Sequence, residues 1–394
     1  MSSKTKGNDL RRSRFSTSAD IFRVALMGFL LAFLLGSLGP WLLDRLDPAD
    51  SSQEALSATF PEVEVRIDSE GTRLAGTLSL PSPGGPFPAL LLISGAGAQD
   101  RDGLFFEHRR FAELAEAFNL AGIAVLRMDD RGVGGSEGNL PDATLQLLAQ
   151  DAAASIRFLA AHPKVDAQRI GLIGGSEGSM VAALAASQSR QVDAVVLLSC
   201  LGLPGLPLLE DQHLRLARAS GAGDEEARET LRLVREAANL ATGSLPKEQI
   251  VPRLRQIDRD LMNLSPLRPF QANEELEREK RVELLLSPLF RDTLSFDPKT
   301  ALSKLKQPAL VIYGNLDLQT HPESNLPLVR QALEESDSPD TSFHVLPGVN
   351  HMLQPAETGH PSEYSQIKAA YDPRVIQLIR DWLSERWFEM GAAP

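Results

Sequence analysis

The residue of this chain best placed to do chemistry is a serine set among glycines, in Gly174-Gly175-Ser176-Glu177-Gly178. An apolar run, Ile170-Gly-Leu-Ile173, leads into it, and a small-residue helical pattern continues from it to Ala186. Strand, sharp turn and helix in the pattern Gly-x-Ser-x-Gly put the serine hydroxyl at the apex, clear of the sheet. The apex residue must hold a strained backbone, so small neighbours are needed, and Gly174 and Gly178 supply them. The following helix would aim backbone N–H groups at the same spot. The chemistry this predicts is nucleophilic attack by Ser176; the bland reading of the same pentapeptide is an ordinary tight turn.

A serine hydroxyl attacks only when a base takes its proton, and the base needs an acid to orient it. In a parallel sheet these partners belong in loops after later strands, in the order Ser, Asp or Glu, His. Asp317 follows the apolar run 308–313 in Gly314-Asn-Leu-Asp317, and His351 follows the strand pattern 342–346 in Pro347-Gly-Val-Asn-His-Met352. Order, strand-end position and residue type agree, so Ser176, His351 and Asp317 form the expected catalytic set. His344 lies inside a strand pattern, His321 beside the acid loop, and His108, His162, His213 and His360 at no matching strand end; Asp297, before Pro298, reads as structural.

A developing oxyanion needs fixed donors. The backbone N–H of Glu177 is one expected donor. That of Ala96, in Gly95-Ala96-Gly97 after the apolar run 89–94, is the other. The charge cluster Gln99-Asp-Arg-Asp-Gly103 and the turn 129–136 read as scaffolding, with Arg131 expected to pair with an acid of that cluster. Gly132, Gly134 and Gly135 lack the Lys-Ser/Thr of a phosphate loop, and no group of His and carboxylates has metal-ligand spacing, so no cofactor and no metal are expected.

The elements that must hold these residues alternate along the chain. Residues 63–67 and 74–80 read as an edge hairpin, and 89–94 as a strand buried on both faces. Helix 111–120, strand 123–128, helix 144–161, the elbow and strand 194–198 follow; the rhythm resumes with strand 308–313, a helix near 325–335, strand 342–346 and helix 373–387. This predicts an α/β protein with a mostly parallel, doubly wound sheet. Leucines at helical spacing among Arg and Glu fill 206–283 without a strand. An insertion of this kind is expected as a helical cap over the site, the alternative being a bundle that packs elsewhere. The division expected is a core first part over 61–204, the cap over 205–300 and a core second part over 301–394.

In front of the core, residues 1–20 are polar and basic, and 24–43 carry no charge. About 20 helical residues at ~1.5 Å each span a ~30 Å hydrocarbon layer. Residues 21–43 are therefore expected to be a transmembrane signal-anchor helix, with 1–20 cytoplasmic and 44–60 a tether. The charge asymmetry places the large domain outside the cytoplasm, periplasmic or at the cell surface; cleavage of a signal peptide, giving a secreted protein, is the alternative. A net charge of −12 over 394 residues argues against nucleic acid as a partner. Cys200 is the single cysteine, which excludes an internal disulfide and a cysteine metal site; it reads as a buried strand-end thiol.

Six segments in order resemble the α/β-hydrolase superfamily, and more narrowly bacterial esterases of its serine-aminopeptidase-like branch. They are Ser94-Gly-Ala-Gly-Ala-Gln-Asp-Arg-Asp102, Asp130-Arg-Gly-Val-Gly-Gly-Ser136, Gly174-Gly-Ser-Glu-Gly178, Ser287-Pro-Leu-Phe-Arg291, Gly314-Asn-Leu-Asp-Leu-Gln319 and Gly348-Val-Asn-His351. The resemblance implies an α/β-hydrolase fold, Ser176 as nucleophile, Asp317 as acid, His351 as base, and Ala96 and Glu177 as oxyanion donors. Ala98 and Thr320-His321 depart from the family pattern, the latter adding an imidazole near the acid loop. The expected enzyme is a serine hydrolase cleaving small-molecule carboxylic esters through an acyl-enzyme. Peptide or amide substrates, or a non-catalytic binding role at the membrane, remain the alternatives.

Overall fold

The computed structural model describes residues 60–264 and 274–389. The expected membrane anchor, its basic flank and nearly all of the tether lie outside the described residues, as does the localisation that rests on them. Among the described residues no helix is long and apolar enough to cross a membrane.

An eight-stranded sheet runs in the order β1-β2-β6-β3-β7-β8-β9-β10. Its first members are β1 (Glu62–Ser69), β2 (Thr72–Ser79) and β3 (Phe87–Ile93). A separate two-stranded hairpin, β4 (Leu104–Phe105) antiparallel to β5 (His108–Arg109), lies in the connection that follows β3. The sheet continues with β6 (Ala124–Met128), β7 (Val165–Gly175), β8 (Ala194–Leu198), β9 (Ala309–Gly314) and β10 (Thr341–Leu346). Only β2 pairs antiparallel to its neighbours; all other pairs are parallel. The chemistry of the strands matches their place. β1, at the edge, exposes alternate residues, whereas β8 and β9 are buried throughout, because helices cover both faces of the central strands.

On one face lie α1 (Arg110–Leu120) and α11 (Pro373–Ser384), whose Phe118, Val375, Ile379 and Trp382 pack on Leu90, Leu92 and Ile312. On the other lie α2 (Leu145–Ala161), α3 (Glu177–Gln188) and α10 (Pro322–Glu334). Between β8 and β9 the chain is helical, as its leucine spacing predicts: α4 (Gly205–Ala219), α5 (Asp224–Thr242), α6 (Lys247–Leu264), α7 (Glu274–Leu285), α8 (Pro288–Ser295) and the single turn α9 (Lys299–Leu302). Leu208, Leu233, Leu254 and Phe290 of these helices join the core on the α2–α3 face.

Register levels the strand ends. Ile93 is paired with Gly174, Gly175 with Leu198, and Gly314 with Leu346. The loops beginning at Ser94, Ser176, Ser199, Asn315 and Pro347 therefore leave one edge of the sheet side by side, where α/β sheets gather their working residues.

Candidate active site

β7 ends at Gly175 and α3 begins at Glu177, so Ser176 alone makes the turn, with φ +53° and ψ −124°. A non-glycine residue held there carries about 1–3 kcal/mol of strain. The turn is fixed on both sides: the Ser176 N–H donates to Leu198 O at 2.9 Å, and Ser179 donates its N–H and hydroxyl to Ser176 O at 2.9 and 2.6 Å. The two glycines are needed for close approach. A Cβ on Gly174 would stand 2.2 Å from Gly178 O, and one on Gly178 would stand 2.3 Å from Ser94 O. The elbow can thus pack against both its own helix and the end of β3.

Asp317 is fully buried, and its two oxygens each lie 3.0 Å from His351 Nδ1. Oδ1 also accepts the N–H groups of Gln319 and Thr320, both at 2.8 Å, and Oδ2 accepts the Thr320 hydroxyl at 2.7 Å. Burial pushes this carboxyl up, but the charge and hydrogen bond of His351 and the bonds from Thr320 outweigh it and hold it at about 2. A carboxylate against Nδ1 places the ring proton there and leaves Nε2 as the base. The histidine's backbone is anchored too, because Ser199 Oγ donates to His351 O at 3.0 Å. Ser176 and His351 line one cleft, and Ser176 Oγ has no hydrogen bond to protein among the described residues.

The loop carrying Ala96 is held from behind by the turn after β6. Asp130 accepts from Ser94 Oγ at 2.6 Å and from the Gln99 N–H at 2.8 Å. Arg101 forks onto Asp129 at 2.7 and 3.0 Å, and Asp102 pairs with Arg127 and Arg109. The scaffolding role of both segments is what these bonds provide, with one correction: Arg131 pairs with Asp151 of α2 at 2.7 Å and not with the 99–103 cluster. Arg101 occupies Asp129 and reaches Glu64 instead. Ala96 lines the cleft beside Ser176, and Glu177 follows Ser176 directly as the first residue of α3. His321 caps α10 through Glu323 N–H, Asp297 caps the turn at Lys299, and Cys200 is buried just past β8. Among the described residues no cluster could hold a metal.

Residues 90–365 match the profile of the Alpha/beta hydrolase family, over more than half of the chain. The chain belongs to this family of hydrolases. Esterase EstD of Thermotoga maritima is 24% identical over 326 residues, 82% of this chain and 68% of that protein. An uncharacterized protein of Mycobacterium tuberculosis is 38% identical over 130 residues, 33% of this chain and 42% of that one. An esterase of Pyrococcus furiosus superposes with a TM-score of 0.51 at 16% identity, covering 86% of this chain and 96% of that chain. The alpha/beta hydrolase GrgF from Penicillium gives 0.50 at 19% identity, covering 82% and 98%. These two likenesses speak for the fold.

In this hydrolase the helical insertion does not furnish the described walls of the cleft. They come from the loop after β3, from α1, from residues 351–353 and from the 361–371 segment, with Phe105, Phe111, Tyr364 and Tyr371 as the aromatic members. The insertion instead buttresses the nucleophile from the opposite side: α8 donates Thr293 Oγ1 to Glu177 Oε2 at 3.1 Å, and its Asp292 accepts from the Leu145 N–H of α2 at 2.7 Å. Burial raises the Glu177 carboxyl to about 7, with Asp130 nearby adding to the effect, and burial raises Asp130 to about 7 as well.

A carboxyl raised on folding holds its proton in the folded state while the unfolded chain ionises. Its contribution is complete below the unfolded value of 4.5 for Glu177 and is lost as pH rises to about 7. Glu177→Gln keeps an acceptor for Thr293 and removes the ionisation. The variant is expected to lose up to about 3 kcal/mol less stability than wild type between pH 4 and pH 8. Denaturant melts across that range check this; parallel losses in the two proteins would show that Glu177 does not ionise in place.

Proposed function

We propose that the protein is a serine hydrolase that cleaves carboxylic esters, with Ser176 as nucleophile, His351 as base and Asp317 as the acid that orients it. The observation that carries this reading is the two-oxygen contact of a buried Asp317 with His351 Nδ1, in the cleft into which the strained Ser176 turn opens. Ser176 Oγ attacks the ester carbonyl carbon as its proton passes to His351 Nε2. The oxyanion rests on the N–H groups of Glu177 and Ala96. Collapse returns the proton to the leaving alcohol and forms the acyl-enzyme. Water, deprotonated by the same nitrogen, then releases the acid. The name of the Thermotoga relative, an esterase, agrees with this class of reaction.

Amide or peptide cleavage by the same residues is the second reading. An aminopeptidase needs a carboxylate to hold the substrate's amino terminus, and the described lining of the cleft contains no Asp or Glu. That favours esters. An ester and an amide of the same acyl group and chromophore test it: the ester is expected to be turned over at least 10²-fold faster relative to the uncatalysed rates, and the reverse order would establish a peptidase. We further propose, from the sequence, that residues 21–43 anchor the catalytic domain at a membrane. A fluorophosphonate probe applied to the full chain is then expected to modify Ser176 in the membrane fraction. Label in the soluble fraction would overturn the anchor, and no label on folded protein would favour a binding role.

A further inference from the structure

Arg110 opens α1 and lines the cleft that holds Ser176 and His351. Its guanidinium lies over the Tyr371 ring, 4.4 Å from the centroid. Nη2 donates to Met352 O at 2.5 Å, Nε to Ala370 O at 3.4 Å, and Nη1 meets only the Met352 sulfur at 4.0 Å. These partners fix the side chain, yet all are neutral, so none offsets its charge. The buried arginines elsewhere are each neutralised: Arg127 by Glu62 and Asp102, Arg131 by Asp151, Arg281 by Asp258. Arg110 has no carboxylate within 4.0 Å among the described residues; Glu113, one turn on, feels its charge only at longer range, being half-exposed and 3.9 Å from His108. In a chain of net charge −12, the described lining of this cleft carries one permanent cation and no anion.

A half-buried guanidinium that is held in place with no carboxylate in contact suits an anion, which Nη1 can meet with a charge-assisted hydrogen bond while Nη2 and Nε stay on their carbonyls. The rest of the wall near it, Phe111, Leu114 and Leu353, is hydrocarbon. We propose that the cleft selects esters that also bear a carboxylate, which Arg110 binds through Nη1, held otherwise only by the long Met352 sulfur contact, while Ser176 attacks the ester carbonyl. The proposal rests on the esterase reading above and adds to it the charge class of the substrate. Arg110 is a binding residue here and takes no part in proton transfer.

The test uses the full chain and two pairs of esters matched in length. The first sets mono-4-nitrophenyl adipate against 4-nitrophenyl hexanoate, with the charge on the acyl side. The second sets 4-carboxyphenyl hexanoate against its methyl ester, with the charge on the leaving group. Wild type is expected to prefer the charged member of at least one pair in kcat/KM. In Arg110→Met that preference is expected to shrink about 10- to 100-fold, mostly in KM, and in Arg110→Lys to be partly restored. A neutral ester equal to or better than its charged twin in both pairs overturns the proposal without any variant. So does an unchanged preference in Arg110→Met. Turnover of the neutral esters alone leaves the esterase reading standing, whereas no turnover of any ester and no fluorophosphonate label overturn both.

Discussion

Replacing Ser176 with alanine is expected to lower ester turnover by roughly 10⁴-fold or more and to leave the folded protein as stable as before. The two halves of this expectation come from different observations. Alanine has the same Cβ as serine, so the backbone at φ +53° is no more strained in the variant. Oγ has no hydrogen bond to protein among the described residues, so the fold loses no bond when it is removed. The bonds that hold the turn, from Ser176 N–H to Leu198 and from Ser179 to Ser176 O, use only the backbone of residue 176. Activity, by contrast, passes through the deleted oxygen: without it no acyl-enzyme forms, and nothing remains to attack the phosphorus of the fluorophosphonate probe and displace its fluoride. Burst kinetics, probe labelling and a thermal melt on one preparation check all three. Near-normal turnover in a folded, unlabelled variant would mean that another group is the nucleophile.

The candidate site was legible in sequence because its three side chains sit within five residues of strand ends, Ser176 directly after β7 and Asp317 and His351 in the loops after β9 and β10. Strand ends are marked by apolar runs that stop at glycine or polar residues, as at Gly174, Gly314 and Pro347, and parallel pairing brings such ends together whatever else varies. Ala96 and its loop could be placed for the same reason. What could not be read was which loop touches which. Asp129 takes Arg101 and leaves Arg131 for Asp151 on α2, a choice that depends on the angle at which two loops cross. Thr320 stood out only as a departure from a family pattern, yet its hydroxyl and N–H both serve Asp317. The helical insertion was visible as a period, but period says nothing about the side on which a bundle lands. It packs behind Glu177, and the described lining of the cleft falls to the 361–371 segment, whose short 3₁₀ turn leaves no periodic signal.

Thr320 gives the second large effect its sharpness. In Asp317→Asn the side chain keeps its shape, but one oxygen becomes an NH2 group, and the surroundings decide which. Oδ1 accepts two backbone N–H groups, from Gln319 and Thr320, that cannot turn away, so the remaining oxygen must stay there. The NH2 group then takes the Oδ2 position, facing the Thr320 hydroxyl and His351 Nδ1. Thr320 can adapt by turning its proton to Ser199 O, 3.1 Å away, and accepting from the amide. His351 Nδ1 then stands between this NH2 group and Oδ1, 3.0 Å away but already taken by two N–H groups, so the ring is favoured to bare Nδ1 toward the amide and to move its proton to Nε2, the nitrogen that must receive the serine proton. Turnover near pH 7 is therefore expected to fall by roughly 10⁴-fold, in kcat, with the cleft still binding ester. The same substitution alters the acid limb of stability in a defined direction. The wild-type carboxyl is lowered from 3.8 to about 2, so its contribution is complete above the unfolded value and is lost as pH falls toward 2. The asparagine variant lacks that loss, about 2 kcal/mol, and its melting temperature should vary less between pH 5 and pH 2. Loss of the downfield Nδ1 proton in the NMR spectrum, with both effects, would tie them to the reversed tautomer; a normal rate would remove Asp317 from the mechanism.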